Sequence, residues 1–160
     1  PALIGSRLGG PVYLPTGADY PMHQGQLLAF LAQINFAELP AMPSFPRTGL
    51  LQFFIAKDDL YGCDFNAGVQ DPQSSFDPDD AHEALYEALS AMGSHVGGYP
   101  DFTQSDPRQK NSGLVLLLQL DSDDEANMMW GDCGIANFFI DPAHLAQADF
   151  SQVLYNWDCC

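Results

Sequence analysis

Hydrophobic residues gather along this chain in four short runs, at 27–36, 50–56, 114–120 and 135–140, each bounded by glycine, proline or charged residues. Runs of this length with such borders predict buried strands. The stretch Leu114-Val115-Leu116-Leu117-Leu118 does not alternate with polar residues, which predicts a strand covered on both faces in the middle of a sheet. Alternation is clearer at 50–56, where Phe53 and Ile55 are expected to face away from Gln52 and Phe54.

Two stretches carry helix signals. Asp77 is placed to cap a helix, Pro78 suits its first position, Asp79 and Asp80 sit at the positive end of its dipole, and Gly93 can close it. Ala81, Leu85, Ala88, Leu89 and Met92 then share one face. A shorter helix is expected to start at Asp141-Pro142 and end near Ala148 by the same reasoning.

The pattern also repeats. Gly49-Leu50-Leu51-Gln52-Phe53-Phe54-Ile55 returns as Gly134-Ile135-Ala136-Asn137-Phe138-Phe139-Ile140. Leu28-Ala29-Phe30-Leu31-Ala32-Gln33-Ile34-Asn35 returns as Leu114-Val115-Leu116-Leu117-Leu118-Gln119-Leu120-Asp121, and Leu8-Gly9-Gly10 as Val96-Gly97-Gly98. From 49 to 134, 28 to 114 and 9 to 97 the offsets are 85, 86 and 88 residues, a drift that small loop insertions produce. Three echoes in one order imply internal duplication. If so, Gln33 and Gln119 occupy equivalent strand positions, and each buried amide needs hydrogen-bond partners. The expected fold is α+β: a strand-rich single domain over 1–160, built from two pseudo-repeats at about 1–56 and 77–160. The stretch at about 57–76 lacks a sustained period and reads as a connector.

At 160 residues the chain can bury roughly 70% of its unfolded surface, so folding requires no metal or disulfide staple. There is no run of 18 apolar residues and the first residues do not form a signal peptide, so no membrane span is expected and the chain looks soluble. The first residue is a proline, which suggests that it is not the natural start.

Charge narrows the partners. Five Lys and Arg against 21 Asp and Glu leave a net charge of −16. That balance argues against nucleic-acid binding, which rests on cationic release of counterions, and favours a basic protein partner; solubility is the other use of such a surface. Cys63, Cys133, Cys159 and Cys160 contain no CxxC spacing, and the adjacent pair could close only a strained bridge. Reduced thiols in a cytoplasmic protein are expected.

Candidate chemistry concentrates between 121 and 134. Asp121, Asp123, Asp124 and Asp132 are hard oxygen ligands of the kind calcium or magnesium takes, although the run lacks the glycine turn and closing glutamate of an EF-hand; the other reading is a solvated strand-to-loop junction. Met128-Met129-Trp130-Gly131-Asp132 sets large adaptable side chains beside these carboxylates, so Trp130 belongs either to a carboxylate-bordered binding groove or to the core between the halves. His23, His82, His95 and His144 form no i, i+4 pair, and neither a zinc site from His95, Cys133, Cys159 and Cys160 nor a nucleophilic site on Cys133 has a close ligand or partner pair in the sequence. No Walker loop, GxSxG or GxGxxG is present, and no cofactor or metal is expected.

The segments Phe30-Leu31-Ala32-Gln33-Ile34-Asn35, Gly97-Gly98-Tyr99-Pro100-Asp101-Phe102-Thr103-Gln104, Leu118-Gln119-Leu120-Asp121-Ser122-Asp123, Met129-Trp130-Gly131-Asp132 and Leu154-Tyr155-Asn156-Trp157-Asp158-Cys159-Cys160 together resemble the bacterial YwqG-like family of unknown function. That family is similar, more distantly, to the programmed-cell-death-2-like proteins, some of which chaperone a basic ribosomal protein. The resemblance implies a duplicated, strand-rich α+β fold and supplies no catalytic residues. The chain starts close to Gly9-Gly10 and the connector before Asp77 is short, as in a compact member or a piece of a longer sequence. The sequence thus reads as a non-enzymatic protein-binding module, chaperone-like or toxin-neutralising, for a basic polypeptide, with Trp130, Asp132, Asp121, Asp123 and Asp124 as candidate binding residues. The alternative is a metal-dependent or cysteine hydrolase built on the acidic cluster from Asp121 to Asp132.

Overall fold

Each apolar run forms a strand, and the strands assemble into sheets through antiparallel neighbours. The computed structural model describes residues 3–63, 92–109 and 112–159. In chain order its strands are β1 (Arg7–Leu8), β2 (Met22–His23), β3 (Gln26–Leu27), β4 (Ala29–Asn35), β5 (Leu50–Ile55), β6 (His95–Val96), β7 (Val115–Asp121), β8 (Ile135–Ile140) and β9 (Leu154–Asp158). They form a three-stranded sheet ordered β1-β4-β5, a small β2-β3 hairpin and a four-stranded sheet ordered β6-β7-β8-β9. The non-alternating stretch at 114–118 falls largely in β7, between β6 and β8, with Leu116, Leu117, Leu118 and Leu120 all buried.

The two larger sheets share one pairing scheme. Arg7 lies opposite Gln33 and Gln33 opposite Gln52; His95 lies opposite Gln119 and Gln119 opposite Asn137. Each central strand carries a bulge at the same place, between Phe30 and Ala32 in β4 and between Leu116 and Leu118 in β7. One extra residue shifts which side chains face inward. Two matching bulges therefore keep both sheets in phase: Ala32, Ile34 and Phe53 enter a single core with Leu118, Leu120 and Phe138. Across that core the rings of Phe53 and Phe138 meet edge to face, with centroids 4.9 Å apart.

The opposite face of each sheet carries amides, and the match extends to their hydrogen bonds. Gln33 Nε2 donates to the Gly5 carbonyl (2.8 Å) and Gln119 Nε2 to the Gly93 carbonyl (3.0 Å). Gln52 Nε2 donates to the Tyr13 carbonyl (2.8 Å) and Asn137 Nδ2 to the Asp101 carbonyl (2.9 Å). Ser6 Oγ accepts the Asn35 amide, as Ser94 Oγ accepts that of Asp121. These amides clamp the segments on either side of β1 and of β6 onto the sheets. The halves differ where side-chain length differs: Gln52 also reaches Gln33 Oε1 (2.9 Å), whereas Gln119 Oε1 accepts the Asp101 amide (2.7 Å), its neighbour Asn137 being one methylene shorter.

The expected α+β class requires correction. The described residues form three antiparallel sheets, a 3₁₀ turn at Phe36–Glu38 and one short helix, α1 (Pro142–Ala146). Asp141 caps α1 as its sequence signals predict, its carboxylate accepting the Ala143 amide at 2.7 Å. The helix ends at Ala146, two residues short of the expected end near Ala148. Only Leu145 turns into the core, and Ala148, at φ +53°, leaves the helical region just beyond the end. The longer helix expected from Asp77 lies almost wholly outside the described residues. Its last apolar position, Met92, is described and is 88% exposed, so it joins no core.

Candidate binding groove

An apolar groove of about 560 Å³ opens between the two sheets. From the first sheet it is walled by β5, including Phe53, Phe54 and Ile55; from the second come Phe138 of β8 and Tyr155 of β9. Phe138 and Tyr155 are paired residues of neighbouring strands and their rings stack, with centroids 4.8 Å apart at an interplanar angle of 13°. His23 and Asp58 add polar edges, and Cys63 contributes a buried thiol.

One wall is set by the chain leaving β5. Asp58 Oδ1 accepts the amides of Leu60 (3.0 Å) and Gly62 (2.8 Å), and this turn puts Tyr61 at φ +52°. The turn is then tied to β9 of the other sheet. Tyr155 donates its hydroxyl to the Tyr61 carbonyl (3.0 Å), and Trp157 Nε1 donates to the Leu60 carbonyl (2.9 Å). The Tyr61 ring stands at 90° to that of Trp157, 4.9 Å away. Burial holds the Tyr155 phenol above its usual range, with the neighbouring Cys63, Asp58 and Tyr61 adding to the effect. Tyr155 thus stays neutral and keeps its donor role. The arrangement offers a largely apolar, open groove with a half-buried phenol and a buried thiol, which suits packing against apolar side chains.

The residues that the sequence suggested for binding lie elsewhere. Trp130 is buried at 1% exposure, edge-on to Tyr61 and Tyr155, so its ring belongs to the core between the halves. Asp121 ends β7 and accepts the Ser122 amide, and Asp123 accepts the Ala126 amide while its backbone pairs with Met128. These two carboxylates build the turn that returns the chain toward β8. Asp124 and Asp132 are exposed. None of the five lines the groove. Among the described residues no group of three His, Cys, Asp or Glu side chains is placed to hold a metal ion. The ring nitrogens of His95 lie 2.9 Å from the Gly93 carbonyl and 3.2 Å from that of Tyr99, while Cys133 is exposed on the loop before β8.

The sequence reading passed over Phe53, Phe138 and Tyr155 as site residues. The repeat held the missing signal, since it equates Phe53 with Phe138 and so predicts two like aromatic positions that can meet across a pseudo-symmetric core. Tyr155 has no counterpart in the repeat, and only the β8–β9 register brings it to Phe138.

No curated protein matches the chain. A family model described as a domain of unknown function, DUF1963, matches it in two overlapping segments, 6–79 and 69–159. The first segment takes in every strand of the β1-β4-β5 sheet and the second every strand of the β6-β7-β8-β9 sheet. With nearly the whole length accounted for in this way, the chain belongs to the DUF1963 family.

Proposed function

We propose that this protein is a non-enzymatic binding module for a basic polypeptide, acting in a chaperone-like or toxin-neutralising way. The observation that carries the reading is an apolar groove on a molecule of net charge −16. Long-range attraction brings a cationic partner to such a surface, and apolar contact in the groove retains it. Asp58 and Asp59 are exposed at the turn beside the groove, where they would meet cationic residues flanking an apolar segment. The YwqG-like resemblance and the more distant likeness to programmed-cell-death-2-like proteins support the same reading. A cytoplasmic setting accords with Cys133 and Cys159 being free thiols.

The test is capture from native lysate on the immobilised full chain at low and high salt, followed by titration of each captured protein in purified form. Basic proteins are expected at low salt, with affinity falling steeply as salt rises. Recovery of no basic protein at low salt overturns the reading, as does a purified partner whose binding is insensitive to salt.

A further inference from the structure

The glycine pair that recurs in the repeat follows a nitrogen-rich side chain in each half: Arg7 before Gly9-Gly10, and His95 before Gly97-Gly98. The four glycines share one backbone conformation, with φ between +53° and +82°. Arg7 and His95 hold the same place, opposite Gln33 and Gln119. What the two turns enclose differs. A methyl group on Gly10 would meet none of the described atoms within 4 Å, whereas one on Gly98 would stand 3.9 Å from His95 Cδ2. The second turn therefore curls over the imidazole.

Both nitrogens of that ring face main-chain carbonyls. Nδ1 lies 2.9 Å from the Gly93 oxygen and Nε2 lies 3.2 Å from that of Tyr99. A neutral imidazole carries one N–H, so it bonds one of these carbonyls and turns a lone pair toward the other. The imidazolium carries two and bonds both. The Gly93 oxygen already accepts Gln119 Nε2 (3.0 Å), and a carbonyl has room for a second donor. The chain beyond the turn is held to the sheet by its amides: Asp101 donates to Gln119 Oε1 (2.7 Å) and Thr103 to Asp158 Oδ1 (2.9 Å).

We propose that His95 is a proton-operated clasp, which when charged fastens the turn from Gly93 to Tyr99, and with it the segment up to Thr103, onto the second sheet. Loss of the proton releases one end of the turn. The clasp thus adds stability in acid and loses it as pH rises through the range in which histidine changes charge. His95 and Val96 also wall a cavity of about 270 Å³ between β6 and β1, so the same proton stiffens one side of it. Among the described residues, the charged groups on the elements around the ring are Asp121, Asp101, Glu38 and Arg7. Asp121 ends β7 with its amide on Ser94 Oγ, Asp101 follows the turn, Glu38 accepts the Ser6 amide at the rim of the cavity, and Arg7 lines the cavity from β1. The carboxylates attract a charged ring and Arg7 repels it, but with both ring nitrogens on carbonyls no carboxylate bonds the ring directly. Arg7 keeps its charge at every physiological pH, so the first half has the same turn without the switch.

The test follows amide hydrogen exchange in the full chain at about pH 5 and about pH 8, which bracket the charge change of histidine. Each rate is expressed as protection relative to an unstructured peptide at the same pH. The amides of Gly97, Asp101 and Thr103 should be about fivefold or more better protected at the lower pH, the weight of one hydrogen bond. Gly9, whose amide bonds the Leu31 carbonyl in the first sheet, should keep its protection. That comparison removes the general relief of repulsion that acid brings to a chain of net charge −16. His95→Gln keeps a donor and cannot take a charge, so it should bring the three amides to the response of Gly9. Equal protection at both pH values, a change at Gly9 as large as at Gly97, or a response that survives in His95→Gln overturns the proposal. If that variant does not fold, the ring of the unaltered chain decides. Slow exchange of both ring N–H protons with water at about pH 5 supports the clasp, and fast exchange of either overturns it.

Discussion

Gln33 and Gln119 are almost wholly buried, and each is held by main-chain partners that its side chain satisfies: Leu3 and Gly5 for the first, Gly93 and Asp101 for the second. Replacing either by leucine keeps the volume and strands those partners, so each change should cost about 1–3 kcal/mol in a denaturant titration. A loss under about 0.5 kcal/mol, the level of an ordinary surface substitution, would contradict the clamping role. Tyr155 makes the second residue-scale prediction. Its folded pKa is raised above the ordinary value of 10.0, so the protonated phenol is the form that the fold favours. The stability it confers is fully present below pH 10 and is lost as pH rises through the alkaline range. Tyr155→Phe should lose about 1 kcal/mol at neutral pH with the Tyr61 hydrogen bond, and should flatten the decline of stability above pH 10. An unchanged alkaline decline would assign it to another group. The equivalence of the two glutamines was legible in the repeat. The partners of their amides were not, because Gly5 and Gly93 are brought in by loops that carry no period.

At the scale of the elements, strands were legible because short apolar runs with turn residues at their borders have few other solutions. Their bulges were not, since one unpaired residue leaves no mark on composition; Leu31 and Leu117 look like ordinary members of their runs. The hairpin from β7 to β8 shows how one position sets an element's neighbours. A methyl group on Gly134 would collide with the carbonyls of Asp158 and Trp130, the first on β9 and the second in the loop before β8. Gly134→Ala should therefore cost about 1–3 kcal/mol by forcing β9 outward, and hydrogen exchange should quicken at Leu154–Asp158 more than at β4. Equal change in both strands would mean that the damage is not local. The helix signals at Asp141 were sound for its start and placed its end near Ala148, two residues past the observed end at Ala146, with Ala148 itself in a left-handed conformation.

For the whole molecule, the question is whether the halves act as one body. Phe53 and Phe138 meet edge to face across a continuous core that both sheets share. Phe53→Ala should cost about 3–5 kcal/mol, and a double-mutant cycle with Phe138→Ala should give a coupling of about 0.5–1.5 kcal/mol. Additive losses, or separate melting of two units, would show that the halves do not depend on each other. The sequence by itself determined the duplication, the order of the main strands, the capped start of α1 and the acidic surface, because each is written in local periodicity or in composition. Tertiary structure alone decided that Trp130 is core, that the carboxylates near Asp121 build a turn, and that Tyr155 reaches Phe138. It also decided that β8 is covered by β9. These depend on which strand lies beside which, and strand pairing joins residues far apart in the chain whose own neighbours say nothing of their partners.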